Sequence, residues 1–96
     1  MPITRLIYIT IDPSETDRAV QVWKKECAPL MIQQKGCISE RLLRSRDAHE
    51  FISCSEWESE TDIEMYVHSA AHEEIVRHTR GLKGTTAQVK LYEAVP

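Results

Sequence analysis

Apolar side chains on both faces of the predicted strands limit this chain's fold more than any other feature. The first strand, residues 3–12, alternates with period two and is rich in β-branched residues, which is typical of a β-strand. Its two faces carry Ile7, Ile9 and Ile11 on one side and Leu6, Tyr8 and Thr10 on the other. A sheet with one wet face would alternate apolar with charged residues, so we expect both faces to be covered.

Two helical segments separate the strands. The first follows a turn at Asp12–Glu15, with Ser14 expected as its capping residue, and ends at Lys35–Gly36. Pro29 predicts a kink or the end of its regular part. One helix face carries residues at three- and four-residue spacing, with an indole near its centre: Ala19, Trp23, Cys27 and Leu30.

The second helical segment changes phase. The stripe of Ile63 and Tyr66 is not continued by the later apolar residues, which lie roughly a third of a turn round the helix. A break near Ser69, which would cap a new short helix, resolves the mismatch. His72 then shares the face of Ile75, Val76 and Thr79, whereas His68 points toward solvent or a cavity rim.

The remaining strands, residues 37–46, 51–58 and 87–95, complete the order β-α-β-β-α-β, with a hairpin turn at residues 47–50. This order predicts one α+β, ferredoxin-like domain over residues 1–96, a four-stranded antiparallel sheet with two helices on one face. The other sheet face would then be bare and apolar. We therefore predict a homodimer that packs the two sheets face to face.

Composition excludes several classes of function. Twelve Lys and Arg against fifteen Asp and Glu give a net charge of −3, without the basic patch that a nucleic-acid surface needs. We expect no membrane partner, because no apolar run is long enough to span a bilayer, and a cytoplasmic protein, because the start lacks a signal-peptide pattern. The three Cys residues form no CxxC site and are expected to be reduced.

Two local patterns carry a resemblance to a known family. Gly36-Cys37-Ile38 ends the first helix and opens the second strand. Trp57 closes the third strand, and the helix after it ends in His68-Ser69-Ala70-Ala71-His72. With this order of elements, the chain resembles the dimeric α/β barrel proteins, and among them the antibiotic biosynthesis monooxygenase (ABM) family.

The resemblance implies a homodimer with one cavity per subunit, between the sheet and its own helices. It implies oxidation of a small phenolic, quinol-like or polyketide substrate without a metal or flavin cofactor. Haem degradation is disfavoured, because Val76 and Ile7 stand where the haem-degrading relatives carry His and Asn. Ser53 stands where some oxidising members place Asn, and its hydroxyl can still bond a substrate oxygen.

The candidate catalytic residues are His72, a general base or proton shuttle, and Tyr66, whose hydroxyl could face a ligand. The candidate substrate-binding residues are Trp57, which could stack on an aromatic ring, together with Ser53, His68 and Trp23. Each of the aromatic residues and His72 could equally be a packed core residue. His68 and His72 have the spacing of two metal ligands, but the break at Ser69 separates them, so no metal site is predicted.

Three hypotheses follow from these features. The first is a cofactor-independent oxygenase of an electron-rich aromatic. The second is a non-catalytic homodimer that binds a small molecule in the same cavity. The third is that Trp57 and His72 both belong to the core and no ligand site exists.

Overall fold

The four strands form a single antiparallel sheet in the order β2-β3-β1-β4. The computed structural model describes residues 1–46 and 49–96. Its strands are β1 (Ile3–Thr10), β2 (Cys37–Arg44), β3 (Glu50–Trp57) and β4 (Thr86–Glu93). The predicted α+β, ferredoxin-like order is confirmed. Part of the predicted hairpin turn, Asp47 and Ala48, lies outside the described residues.

The first helical region changes its winding along its length. It runs through a 3₁₀ turn (Pro13–Glu15), α1 (Thr16–Val22), a π-helical turn (Trp23–Cys27) and α2 (Ala28–Ile32). The capping residue is Asp12, not Ser14 as expected, because the Asp12 carboxylate accepts the Ser14 N–H at 3.0 Å. Pro29 has no N–H, so it cannot bond the carbonyl four residues before it. The N–H of the preceding residue, Ala28, bonds the carbonyl five residues before it, that of Trp23, which is the π-helical pattern. The predicted irregularity therefore takes the form of a π-turn that begins at Trp23.

The predicted break at Ser69 is confirmed. It separates α3 (Glu60–Val67) from α4 (Ala70–Thr79). The Ser69 hydroxyl accepts the His72 N–H at 3.2 Å and donates to the Tyr66 carbonyl, so it joins the end of one helix to the start of the next. The Ser59 hydroxyl caps α3 in the same way by accepting the Asp62 N–H at 3.2 Å.

The helices pack on one face of the sheet, and every residue of the edge strand β4 is exposed. On β3 the residues on that face are all buried: Phe51, Ser53, Ser55 and Trp57. They meet two apolar clusters that the helices complete. The first cluster contains Cys27, Met31, Trp57, Ile63, Tyr66 and Ile75. The second contains Ile11, Ala19, Phe51 and Leu82.

The turn between α2 and β2 is fixed by a close approach to α3. Gly36 has φ +84°, a conformation that favours glycine. A Cβ at this position would overlap the side chain of Asp62 in α3. The Gly36 carbonyl also accepts the Glu58 N–H at 2.8 Å, which ties this turn to the end of β3. Within residues 1–46 and 49–96, no helix has the length and apolar character needed to cross a membrane.

Candidate functional site

A cavity of about 250 Å³ lies between the sheet and the helices. Residues of both apolar clusters line it, including all four of the second cluster. The β1 side chains Ile7 and Ile9 form its floor, and Val22 forms part of the helical side. An apolar cavity of about 150 Å³ can hold benzene, so this one has room for a larger aromatic ring with substituents.

Polar side chains on the cavity wall come from several elements. Arg5 lies on β1, Ser53 on β3, Tyr66 on α3 and His72 on α4, and all four line the cavity. The strand register brings the first two together, because Arg5 pairs with Ser55 and Ile7 pairs with Ser53. The rest of the wall is largely apolar, an arrangement typical of small-molecule sites.

The cavity has a polar end, where the side chains of Arg5, Tyr66 and His72 lie close together and Trp57 packs against Tyr66. The Trp57 indole stacks on the Tyr66 ring with centroids 5.0 Å apart. The edge of the His72 imidazole meets the Tyr66 ring at 5.1 Å between centroids. The Arg5 guanidinium carbon lies 5.7 Å from the Tyr66 centroid. Tyr66 is therefore the common neighbour of the other three side chains.

Trp57 occupies a different place from the one expected. Its side chain is completely buried, and it does not line the cavity. Its indole N–H donates to the Ser55 hydroxyl at 2.9 Å. Trp57 thus packs behind Tyr66 and holds that ring in position. In this arrangement Trp57 does not reach the cavity, and its contact with a substrate stays a prediction.

Trp23 reaches the cavity from the π-turn. It lines the wall, and its buried Nε1 has no hydrogen-bond acceptor within the described parts of the chain. A buried indole N–H is usually hydrogen-bonded, because an unmade bond is costly. An oxygen atom of a ligand in the cavity could accept this bond. The predicted binding role of Trp23 is therefore chemically possible here.

The two candidate proton-transfer residues have different ionisation behaviour. Burial raises the pKa of Tyr66 to about 12, although the nearby Arg5 opposes this change. Tyr66 therefore keeps its proton at neutral pH and acts as a hydrogen-bond donor. Burial, with the charges of Arg5 and His68, lowers the pKa of His72 below its usual 6.5. The neutral His72 is thus the better proton acceptor of the two.

His68 lies away from the other candidates. It caps the C-terminal end of α3, is exposed and does not line the cavity. Its charge is the smallest of the three causes that lower the pKa of His72, after burial and the charge of Arg5. No group of three His, Cys, Asp or Glu side chains that could hold a metal ion occurs in residues 1–46 and 49–96.

Arg5 and Ser55 were missed in the sequence. Arg5 is a charged residue on a strand face whose other members, Ile3, Ile7 and Ile9, are apolar. That exception to the alternation is a signal that could have identified it. Ser55 carried no such signal, because its role depends on the Trp57 indole folding back along the same strand.

The fold is α+β and ferredoxin-like, and it encloses a cavity with several polar groups on an otherwise apolar wall. The family model for antibiotic biosynthesis monooxygenase matches residues 2–78. The chain belongs to this family. A comparison with curated proteins gave no significant match.

Solved structures share the fold over almost the whole chain. SnoaB, a cofactor-independent oxygenase from Streptomyces nogalater, has 19% sequence identity and a TM-score of 0.81, over 99% of this chain and 94% of its own. Rv0793 from Mycobacterium tuberculosis has 14% identity and a TM-score of 0.82, over 100% of this chain and 97% of its own. An antibiotic biosynthesis monooxygenase has 16% identity and a TM-score of 0.83, over 98% of this chain and 99% of its own.

Proposed function

We propose that the protein is a cofactor-independent monooxygenase of a small phenol, quinol or polyketide-like aromatic compound, which binds in the cavity between sheet and helices. The observation that carries the proposal is a neutral His72 facing an apolar cavity that also contains the hydroxyl-bearing Tyr66 and Ser53. Membership of the ABM family and the likeness to SnoaB support an oxygenase reaction.

Each of the polar residues has a role in this proposal. Neutral His72 removes a proton from the substrate, and a base near its working pH is most effective. Tyr66 and Ser53 donate hydrogen bonds to the substrate oxygens. Trp23 donates its free indole N–H to a carbonyl oxygen and packs against the ring. Trp57 acts through Tyr66 by holding the phenol ring that it stacks on.

The substrate itself supplies the electrons for the reaction. Loss of a proton to His72 leaves an aromatic carbanion or phenolate, which transfers one electron to dioxygen. The resulting superoxide and substrate radical combine at carbon to form a peroxide, and His72 returns its proton to the peroxide. Loss of the second proton from that carbon, with cleavage of the O–O bond, leaves one oxygen as a carbonyl and releases the other as hydroxide, which takes up that proton to form water. A CH₂ group and O₂ are thereby converted to C=O and H₂O, without an external reductant.

Oxygen consumption with a panel of quinols, naphthols and anthrones tests this proposal. We expect uptake by the wild type with at least one of them, and a loss of about 10²–10⁴-fold in His72→Ala, the usual contribution of a general base. His78→Ala is the matched control, because His78 also lies on α4 but contacts Glu74 and Glu26 and does not line the cavity. Equal rates in wild type and His72→Ala would refute the role of His72.

The alternative is a homodimeric protein of the same fold that binds a small molecule without chemical change. The predominance of apolar side chains on the cavity wall favours this reading, because a ligand could be held by burial alone. Saturable binding of the same aromatic compounds, with unchanged ligand recovered after prolonged incubation in air, would support binding over catalysis.

We also propose that two copies of the chain pack through the sheet face that the helices leave open. Tyr8, Leu43 and Tyr92 on this face are 37%, 40% and 46% exposed. A twofold axis places the same patch on both partners. The face also carries charges of both signs, Lys90 and Arg41 with Glu56, that such an arrangement can pair.

Sedimentation velocity at micromolar concentration tests the proposed dimer. The wild type should sediment as a dimer, and Leu43→Glu should sediment as a folded monomer, because it places a charge in the apolar contact. A monomeric wild type would contradict the proposal.

We also propose that the protein lies in the cytoplasm, where Cys27, Cys37 and Cys54, which are free in the structure, would remain reduced.

A further inference from the structure

Arg5 is a buried cation with no ion-pair partner in the described part of the chain. Its side chain is only 5% exposed, and it lies at the polar end of the cavity. Among the described residues, the ion pairs involve helical residues only, such as Arg18 with Glu15 and Arg77 with Glu74. The Arg5 guanidinium carbon faces the Tyr66 ring, 5.7 Å from its centroid.

This arrangement is unfavourable for the unliganded fold. Arginine is rarely buried without a partner, because removing its charge from water is costly. Contact with a tyrosine face offsets only a small part of that cost. Burial lowers the pKa of Arg5, but an arginine side chain stays protonated in proteins. A charge kept in such a place is therefore available to a ligand.

The other titratable groups on the cavity wall are neutral at neutral pH. They are Cys27 from the π-turn, Tyr66 from α3 and His72 from α4. Burial raises the pKa of Cys27 to about 11 and that of Tyr66 to about 12, and it lowers the pKa of His72. No Asp, Glu or Lys lines the cavity in residues 1–46 and 49–96. Arg5 thus gives the cavity a net charge of +1.

We propose that Arg5 binds the anionic oxygen of the ligand, and that the cavity selects aromatic compounds that carry one oxyanion. The planar guanidinium offers several N–H donors to such an oxygen, and the apolar wall accommodates the ring. A phosphate dianion or a nucleotide does not suit a cavity of about 250 Å³ with a single cation.

The inference deepens the proposed function and rests on it for its catalytic meaning. A phenolate held by Arg5 is the species that would reduce dioxygen after His72 has taken the proton. Arg5 would therefore lower the pKa of the bound phenol and make proton transfer to His72 easier. Binding of the anion can nevertheless be measured without any turnover, which separates the two proposals.

The test uses 4-nitrophenol, whose ionised form absorbs visible light and reports its own protonation state. In the wild type we expect the bound phenol to ionise at least one pH unit below the free compound, a tenfold change in the ratio of its two forms. Arg5→Met should shift the bound ionisation above that of the free compound and weaken binding of the phenolate at least tenfold. Arg5→Lys, which keeps the charge, should retain most of the wild-type shift.

Arg44→Met is the matched control, because Arg44 is exposed on β2, outside the cavity, and its loss removes the same charge from the protein. It should bind and ionise 4-nitrophenol as the wild type does. We expect Arg5→Met to have an unchanged or higher melting temperature, whereas an arginine with a purely structural role would lower it on removal.

Three results would overturn the proposal. They are no binding of 4-nitrophenol by the wild type, ionisation of the bound compound at or above the pH of the free one, and the same ionisation in Arg5→Met as in the wild type. The wild-type titration decides the question even if Arg5→Met does not fold. Binding of 2-naphthoate in preference to 2-naphthol, a phenol that keeps its proton at neutral pH, would extend the selection from phenolates to carboxylates, and stronger binding of 2-naphthol would restrict it to phenols that ionise in the cavity. Anion binding that depends on Arg5, without oxygen uptake, would refute the proposed reaction alone.

Discussion

Trp57→Phe should lower stability more than Trp23→Phe does, whereas Trp23→Phe should weaken ligand binding more than Trp57→Phe does. Both substitutions remove the same part of an indole ring. In Trp57→Phe the Ser55 hydroxyl also loses its buried donor, which is 2.9 Å away. In Trp23→Phe the lost N–H had no acceptor among the described residues, so no partner is left behind.

The size of the difference follows from that hydrogen bond. Leaving a buried partner unsatisfied costs about 1–3 kcal/mol, and we expect Trp57→Phe to lose this much more stability than Trp23→Phe. Complete truncation in Trp57→Ala should cost about 3–5 kcal/mol, because the side chain is fully buried. In a domain of this size, a change of about 1 kcal/mol shifts the melting temperature by about 4–8 °C.

Urea unfolding followed by circular dichroism measures this difference, at one protomer concentration for all variants. The binding of 4-nitrophenol should respond in the reverse order. Trp23→Phe should bind up to about tenfold more weakly, the worth of one hydrogen bond, whereas Trp57→Phe should bind nearly as well once folded. Equal losses of stability in the two variants would show that the contrast between a bonded and an unbonded indole is wrong.

Three further predictions concern the turn at Gly36, the break at Ser69 and the titration of His72. Gly36→Ala should destabilise the protein by about 1–3 kcal/mol in urea unfolding, because of its positive φ and the overlap with Asp62, while Gly81→Ala, whose Cβ would make only ordinary van der Waals contacts, should change stability little. An equal effect of both would contradict this reading. Ser69→Ala should cost about 1 kcal/mol through loss of the helix cap, and Ser69→Asp should restore most of it; an unaffected melting temperature in the alanine variant would argue against the cap. Oxygen uptake should be constant above neutral pH and fall as pH decreases through the lowered pKa of His72, below 6.5, because protonation removes the base. An NMR titration of His72 should give a midpoint below 6.5, and a midpoint above it would refute the assignment.

Local patterns in the sequence were sufficient for most of the fold. The alternation in residues 3–12 predicted β1, and its end at Thr10 differs by two residues from the expected one. The phase change after Ile63 and Tyr66 located the break at Ser69, because a helix cannot bury two stripes that lie a third of a turn apart. These signals are local, since backbone hydrogen bonding and one buried face act within a few residues.

The element order, the ferredoxin-like sheet and the face of α4 on which His72 lies could all be predicted from the order and spacing of residues. Which of the aromatic residues borders the cavity became clear from the packing of the folded chain. Trp57 on β3 and Tyr66 on α3 are both buried in the same apolar cluster. Stacking on Tyr66 and the hydrogen bond to Ser55 hold Trp57 behind Tyr66, away from the cavity. The same holds for Arg5, whose importance depends on a cavity wall without an acidic side chain among the described residues. Cavities and unpaired charges are properties of packing between segments that are distant in the chain, and local periodicity does not encode them.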